Sequence, residues 1–141
     1  MIKLISSIKE YNKQLTIEQD FLIGSRNGLS ESANYVTSYI KSKLNNNSEK
    51  TGKLYYRPSI GAFIRASAKG EYPARVTGDL SESIENSISS DSVSIGSTLS
   101  ELYPKFLEEE ADRSYLERGI KDNAQKIEDI ISINISNKLC K

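Results

Sequence analysis

The sequence predicts an α+β domain. A small antiparallel β-sheet packs against a long N-terminal helix and a C-terminal helix, with an extended loop or arm. Three observations carry this prediction. Apolar residues recur at spacings of three, four and seven over residues 16–44, and again at three and four over 114–135, the period of a helix buried on one side. Between these stretches, residues 53–66 and 87–97 hold short β-prone runs bounded by turn-forming residues. At 141 residues, the chain has the size of one domain that buries a core without staples. We place that domain at residues 1–135, with the loop at about 67–78 and a fraying tail at 136–141.

The first helix is expected from Thr16 to Leu44, with Leu22, Leu29, Ala33, Val36, Ile40 and Leu44 on one face. Thr16 and Gln19 have the spacing of a capping box at its start. Gly24 and Gly28 each cost a helix about 1 kcal/mol relative to alanine, so they mark a place where it can break. The run NNNSEKTG at 45–52 ends it with turn-forming side chains. Short strands follow at 53–57 and 62–66, with Pro58 and Gly61 keeping them apart or at an edge. Leu80, Ile84 and Ile88 lie four apart, as in a helical turn, and the same residues can run into a strand by residue 84. Ile88, Val93 and Ile95 have serines between them, which predicts a hairpin turning at Ser90–Asp91. Leu102, Phe106 and Leu107 share one face of a short helix that admits Pro104 only in its first turn. The last helix is expected from Ser114 to Ile135. Its stripe is Leu116, Ile120, Ala124, Ile127 and Ile131, and its cap is Asp112 or Ser114.

Composition narrows the functional classes. The chain has no histidine, which removes the usual general base and the commonest zinc ligand. Its single cysteine, Cys140, can build neither a disulfide framework nor a cysteine metal site, and fits a reducing compartment. No apolar run approaches the roughly 18 residues that span a bilayer. The opening MIKLISSIKEYNK is too short and too charged for a secretory signal. These features lead us to expect a soluble intracellular product with no membrane partner. The net charge is zero, yet residues 1–75 carry twelve basic and six acidic side chains, and residues 76–141 carry seven and thirteen. A two-ended pattern suits a protein that packs against copies of itself or against two neighbours; two solvated faces give the same numbers.

Catalytic candidates are few. Ser67 and Lys69 have the spacing of a serine–lysine pair, which is common by chance. Glu108, Glu109, Glu110 and Asp112 could face a divalent cation, but adjacent carboxylates on a helix point in different directions, which favours a solvated or inter-subunit face. The run GEYPARVTG lacks the glycines of a phosphate cradle. We therefore assign no catalytic, cofactor or metal site. Residues 50–75 are more informative. Lys50, Lys53, Arg57, Arg65, Lys69 and Arg75 face only Glu71, with Tyr55, Tyr56, Phe63 and Tyr72 among them. Basic and aromatic residues together serve single-stranded nucleic acid, a protein interface, or simply an ordinary surface.

The stretch RASAKGEYPARVTGDLSESI, residues 65–84, resembles a signature of the small neck, or head–tail joining, proteins of long-tailed bacteriophages, also called minor tail or tail-completion components. The residues that carry the resemblance are Ala66, Ser67, Ala68, Gly70, Pro73, Thr77, Gly78, Leu80, Ser83 and Ile84. They continue with Ile95, Gly96 and Ser97, then Tyr103, Leu107 and Glu108, and a helix follows. The resemblance covers about residues 52–135. It departs where the family has Phe-Gly-Thr and an Arg-Pro-Phe-Leu turn; here stand Glu109, Glu110 and Ala111, then Arg113, Ser114, Tyr115 and Leu116.

The resemblance implies a structural virion protein, not an enzyme and without cofactors. Copies would form a ring in the neck, between the DNA-filled head and the tail, with head-closure or portal-side proteins on one side and tail-terminator or tail-tube proteins on the other. DNA would pass through the channel without sequence specificity, and the subunit would be made in the host bacterial cytoplasm. Residues 67–78 would be an arm that is mobile in the free subunit and lies on a neighbour's sheet edge in the ring. With the charge split, Arg57, Arg65, Tyr72 and Arg75 become interface candidates on one side, and Glu108, Glu109 and Glu110 on the other. The alternative is a nucleic-acid-binding regulator that uses residues 50–75.

Overall fold

A computed structural model of the chain describes residues 2–89, 91–100, 102–110 and 113–140. The fold is α+β, with a long N-terminal helix, two small antiparallel hairpins and helices at the C-terminal end.

Helix α1 runs from Ile2 to Asn45 without a break. Thr16 therefore lies in mid-helix and starts nothing, which corrects the expected capping box. Gly24 and Gly28 do not interrupt it either. A Cβ on Gly24 would stand 2.8 Å from the Cα of Ile135, and one on Gly28 would stand 2.7 Å from the Cα of Ile131. The glycines admit the backbone of the last helix, and that close packing offsets their low helix propensity.

After the turn at Asn46–Lys50, strands β1 (Leu54–Arg57) and β2 (Ala62–Arg65) pair in register Leu54 with Arg65 through Arg57 with Ala62. Pro58 and Gly61 do not separate them. They form the connecting turn, closed by Ile60 N–H to Arg57 O and Gly61 N–H to Pro58 O. The ladder extends outward through Gly52 N–H to Ala66 O at 3.0 Å and Ala66 N–H to Lys53 O at 2.9 Å.

Residues 67–78 form neither helix nor strand. Gly78, at φ 97°, leads into the single turn α2 (Asp79–Glu82), and strand β3 (Ile84–Ile88) follows at once. Strand β4 (Val93–Ser97) pairs with β3 in register Ile84 with Ser97 through Ile88 with Val93. Ser90 of the expected turn lies outside the described residues; Ser89 N–H donates to Ser92 O across it. The strands thus fall in two separate sheets.

Helix α3 (Leu102–Lys105) widens into a π turn over Phe106–Glu110. The wider turn separates Phe106, which is exposed, from Leu107, which is buried, so the two do not share a face. The expected C-terminal helix is two: α4 (Leu116–Asp122) and α5 (Ala124–Leu139). They divide at Asn123, whose side-chain amide donates to Gly119 O at 2.7 Å and so closes α4. The division shifts the buried face. Gly119, Asn123 and Ile130 are inside, while Ile120 is 47% exposed and Ala124 is on the surface, contrary to the stripe expected from spacing. Helix α5 also continues through residues 136–139, which were expected to fray.

Val36, Ile40, Leu44, Tyr72, Ile84, Leu107 and Tyr115 form the core, with Tyr39, Leu80, Ile95, Leu116 and Ile127 packed around it. It lies between the C-terminal half of α1, the β3–β4 hairpin and α4. Asn86 ties that hairpin to α1 through Thr37 at 3.0 Å and Asn34 at 3.2 Å. Helix α5 runs antiparallel along another side of α1, where Asn134 donates to Glu31 at 2.8 Å.

Candidate functional site

The segment expected to reach a neighbour is fastened to its own subunit. At one end Glu71 accepts from the Thr51 hydroxyl, from the Thr51 amide at 3.1 Å and from the Ala68 amide at 2.8 Å. These bonds, led by the Thr51 hydroxyl, hold the Glu71 carboxyl down at about 2. At the other end the Asn47 amide grips the backbone of Arg75, donating to its carbonyl at 2.7 Å and accepting from its N–H at 2.6 Å. Between these clamps Tyr72 and Pro73 are buried.

Tyr72 is the centre of a polar and aromatic cluster. Its hydroxyl donates to Asp122 at 2.8 Å, and Tyr39 reaches the same oxygen at 3.5 Å. The Tyr39 ring meets it edge-on at 6.5 Å, with the Arg118 guanidinium 5.3 Å and the Lys50 ammonium 5.9 Å from its centre. Burial, then the hydrogen bond and charge of Asp122, push the Tyr72 phenol well above its ordinary range. Burial lowers the pKa of Lys50, against the pull of Glu71 and Glu49. Lys50 belongs to the basic stretch already noted in the sequence, but nothing in the spacing announced its meeting with Arg118 and Asp122, which both stand on α4.

Glu108 is likewise engaged internally. Its carboxylate accepts the first amides of α4: Tyr115 at 2.8 Å, Leu116 at 3.2 Å and Glu117 at 2.9 Å. It does the work expected of Asp112 or Ser114, and a negative charge there also suits the helix N-terminus. Asp112 lies outside the described residues. Beside the cap, Tyr115 is wholly buried with its hydroxyl unpartnered among the described residues, and burial first, then Glu108 and Tyr103, pushes its phenol up to about 12. Tyr72 and Glu108, both read from the sequence as interface candidates, make these contacts within the subunit.

The remaining candidates lie at or near the surface. Arg65 is exposed and donates to Gly52 O at 3.1 Å; Arg57 is half-buried and donates to Ser59 at 2.9 Å. Glu109 is exposed and pairs with Lys105 at 3.9 Å, and the side chain of Glu110 lies outside the described residues. Arg57 and Arg75 come together on an open cleft of about 410 Å³, floored by Leu44, Leu80 and Leu99 and bordered by Tyr103. Arg65 is on the other face of its hairpin, which presents Leu54, Tyr56 and Phe63 to solvent. Tyr56 and Phe63 touch with ring centres 5.2 Å apart, and Phe63 is 68% exposed.

Ser67 is buried while Lys69 is exposed, so the pair does not share one environment. Among the described residues no group of three or more His, Cys, Asp or Glu could hold a metal ion, and no helix is long and apolar enough to cross a membrane. The chain matches no protein-family model, no curated protein and no solved structure in the comparisons made.

Proposed function

We propose that the chain is a structural protein of a bacteriophage virion, a subunit of the ring that joins the DNA-filled head to the tail. One observation carries this reading: how the segment that bears the resemblance is used. Tyr72, Ile84 and Leu107 close the core and Glu108 caps α4, so this segment builds the folded body of the subunit. That body leaves a basic hairpin outside, whose outer face carries Leu54, Tyr56, Phe63 and Arg65. Exposed aromatics beside arginine are the composition of a contact surface. Its partners are neighbouring copies, a head-closure or portal-side protein and a tail-terminator or tail-tube protein. The subunit binds no cofactor and catalyses nothing; it works in the neck of the particle after synthesis in the bacterial cytoplasm.

The Tyr56–Phe63 pair, on the same hairpin face as Arg65, supports a second reading, a nucleic-acid-binding regulator that uses residues 50–75 and in which bases stack on the hairpin. Labelling the chain in intact particles separates the two. Density at the head–tail junction is the expected result. Absence from purified particles, with tight, sequence-dependent and steeply salt-dependent binding to short DNA, would replace the first reading with the second.

A further inference from the structure

The apolar stripe of α1 outruns its cover. Ala33, Val36, Ile40 and Leu44 are buried on it. The same stripe continues toward the N-terminus through residues 29, 26, 22, 18 and 15, whose spacings of three and four return to one side of a helix. There Leu29 is half-buried, Leu22 is 65% exposed and Leu15 is 38% exposed. Helix α5 does not cover them, because it meets α1 on another side, at Gly24 and Gly28.

The uncovered stretch is self-complementary. Outward from Leu22 in either direction stand a charged residue at four and a leucine at seven: Glu18 and Leu15 one way, Arg26 and Leu29 the other. A second helix related by a two-fold axis through Leu22 runs antiparallel. It sets Leu22 on Leu22, Leu15 on Leu29 and Glu18 on Arg26. A parallel copy would instead oppose Glu18 to Glu18 and Arg26 to Arg26. Glu18 is exposed and accepts from Gln14 of its own helix at 3.3 Å through one carboxylate oxygen.

We propose that residues 15–29 of α1 are a homodimer surface, covered by the same residues of a second copy lying antiparallel about Leu22. The contact is isologous and closes on itself, whereas a ring needs a head-to-tail contact, so it does not rest on the ring reading.

Single-cysteine crosslinking of the full chain in a Cys140→Ser background tests the register. Leu22→Cys should form a disulfide-linked dimer under mild oxidation, because the axis brings it onto its own copy within the roughly 4.4–6.8 Å Cα reach of a disulfide. Leu15→Cys and Leu29→Cys should each stay uncrosslinked alone and should link when mixed. Sedimentation of the uncrosslinked proteins gives a second readout. Glu18→Arg should raise the dimer dissociation constant by about tenfold or more, and Glu18→Arg with Arg26→Glu should restore it. All these positions except Leu29 are exposed, and unchanged melting of each variant checks the fold. A chain that stays monomeric to about 100 µM would overturn the proposal. So would equal self-crosslinking at positions 15, 22 and 29, or an unaffected Glu18→Arg dimer. Rings lacking the 22–22 link would sink this contact and leave the ring reading standing; the linked dimer in a protein absent from particles would do the reverse.

Discussion

The Tyr72 hydroxyl donates to the Asp122 carboxylate at 2.8 Å, joining positions fifty residues apart. This bond pins the middle of a loop rich in glycine, proline and charge against α4. Asp122 is exposed, so water can replace the phenol as its partner. Tyr72→Phe should therefore lose only about 0.5–1.5 kcal/mol, and Tyr72→Ala, which also removes the ring from the core, about 3–5 kcal/mol. Urea unfolding measures both. In the free wild-type chain the amides of Ala68, Glu71 and Arg75 should exchange slowly, since each is bonded within the subunit. Exchange of all three at the rate of an unfolded peptide would show that the loop is not docked.

Gly28 offers a test in which two effects have opposite signs. On an isolated helix, replacing glycine would stabilise by up to about 1 kcal/mol. Here the new Cβ meets the Cα of Ile131 at 2.7 Å, and backbone cannot swing aside as a side chain can. Overpacking of this kind costs about 1–3 kcal/mol, and a β-branched residue keeps little of the propensity gain. Gly28→Val should lower the melting temperature. A rise would mean that α5 stands farther from α1 than described.

Glu71 sets a pH dependence. Its carboxyl titrates at about 2 in the folded chain against an ordinary value of 4.5. A folded-state value below the unfolded one means that the contribution is complete above about 4.5 and is lost as the pH falls toward 2. Glu71→Gln should be less stable than the wild type at neutral pH, and the gap should close as the pH drops through that window. Unfolding curves at stepped pH values check this; a constant gap down to pH about 2 would remove Glu71 from the acid response.

Much of the fold was legible because period and turn chemistry are local. Ala33, Val36, Ile40 and Leu44 were found by spacing, and both hairpins by short β-prone runs between turns. What failed was whatever depended on a distant partner. Spacing marked Leu22 as apolar-face but could not tell that the described residues leave it largely exposed. Propensity flagged Gly24 and Gly28 as weak points, when the approach of Ile131 and Ile135 makes small residues fit there. Tyr72 sits among loop-forming residues with no period to betray its burial. Glu108 caps a helix that starts eight residues later, beyond a π turn, a pairing that no capping-box spacing describes. The charge split could not tell that two of the seven residues assigned to an interface, Tyr72 and Glu108, also have partners within the subunit.

The long separation between α1 and its partner helix bears on how the chain folds. Glu31 and Asn134, which meet across that contact, are 103 residues apart. A polypeptide emerging from the ribosome therefore makes α1 well before α5, and the earlier helix waits through the intervening residues for the surface that closes on its glycines. Contacts so distant in sequence carry a large loop-closure entropy and slow the approach to the native state. During that wait the unpaired face of α1 is open to aggregation.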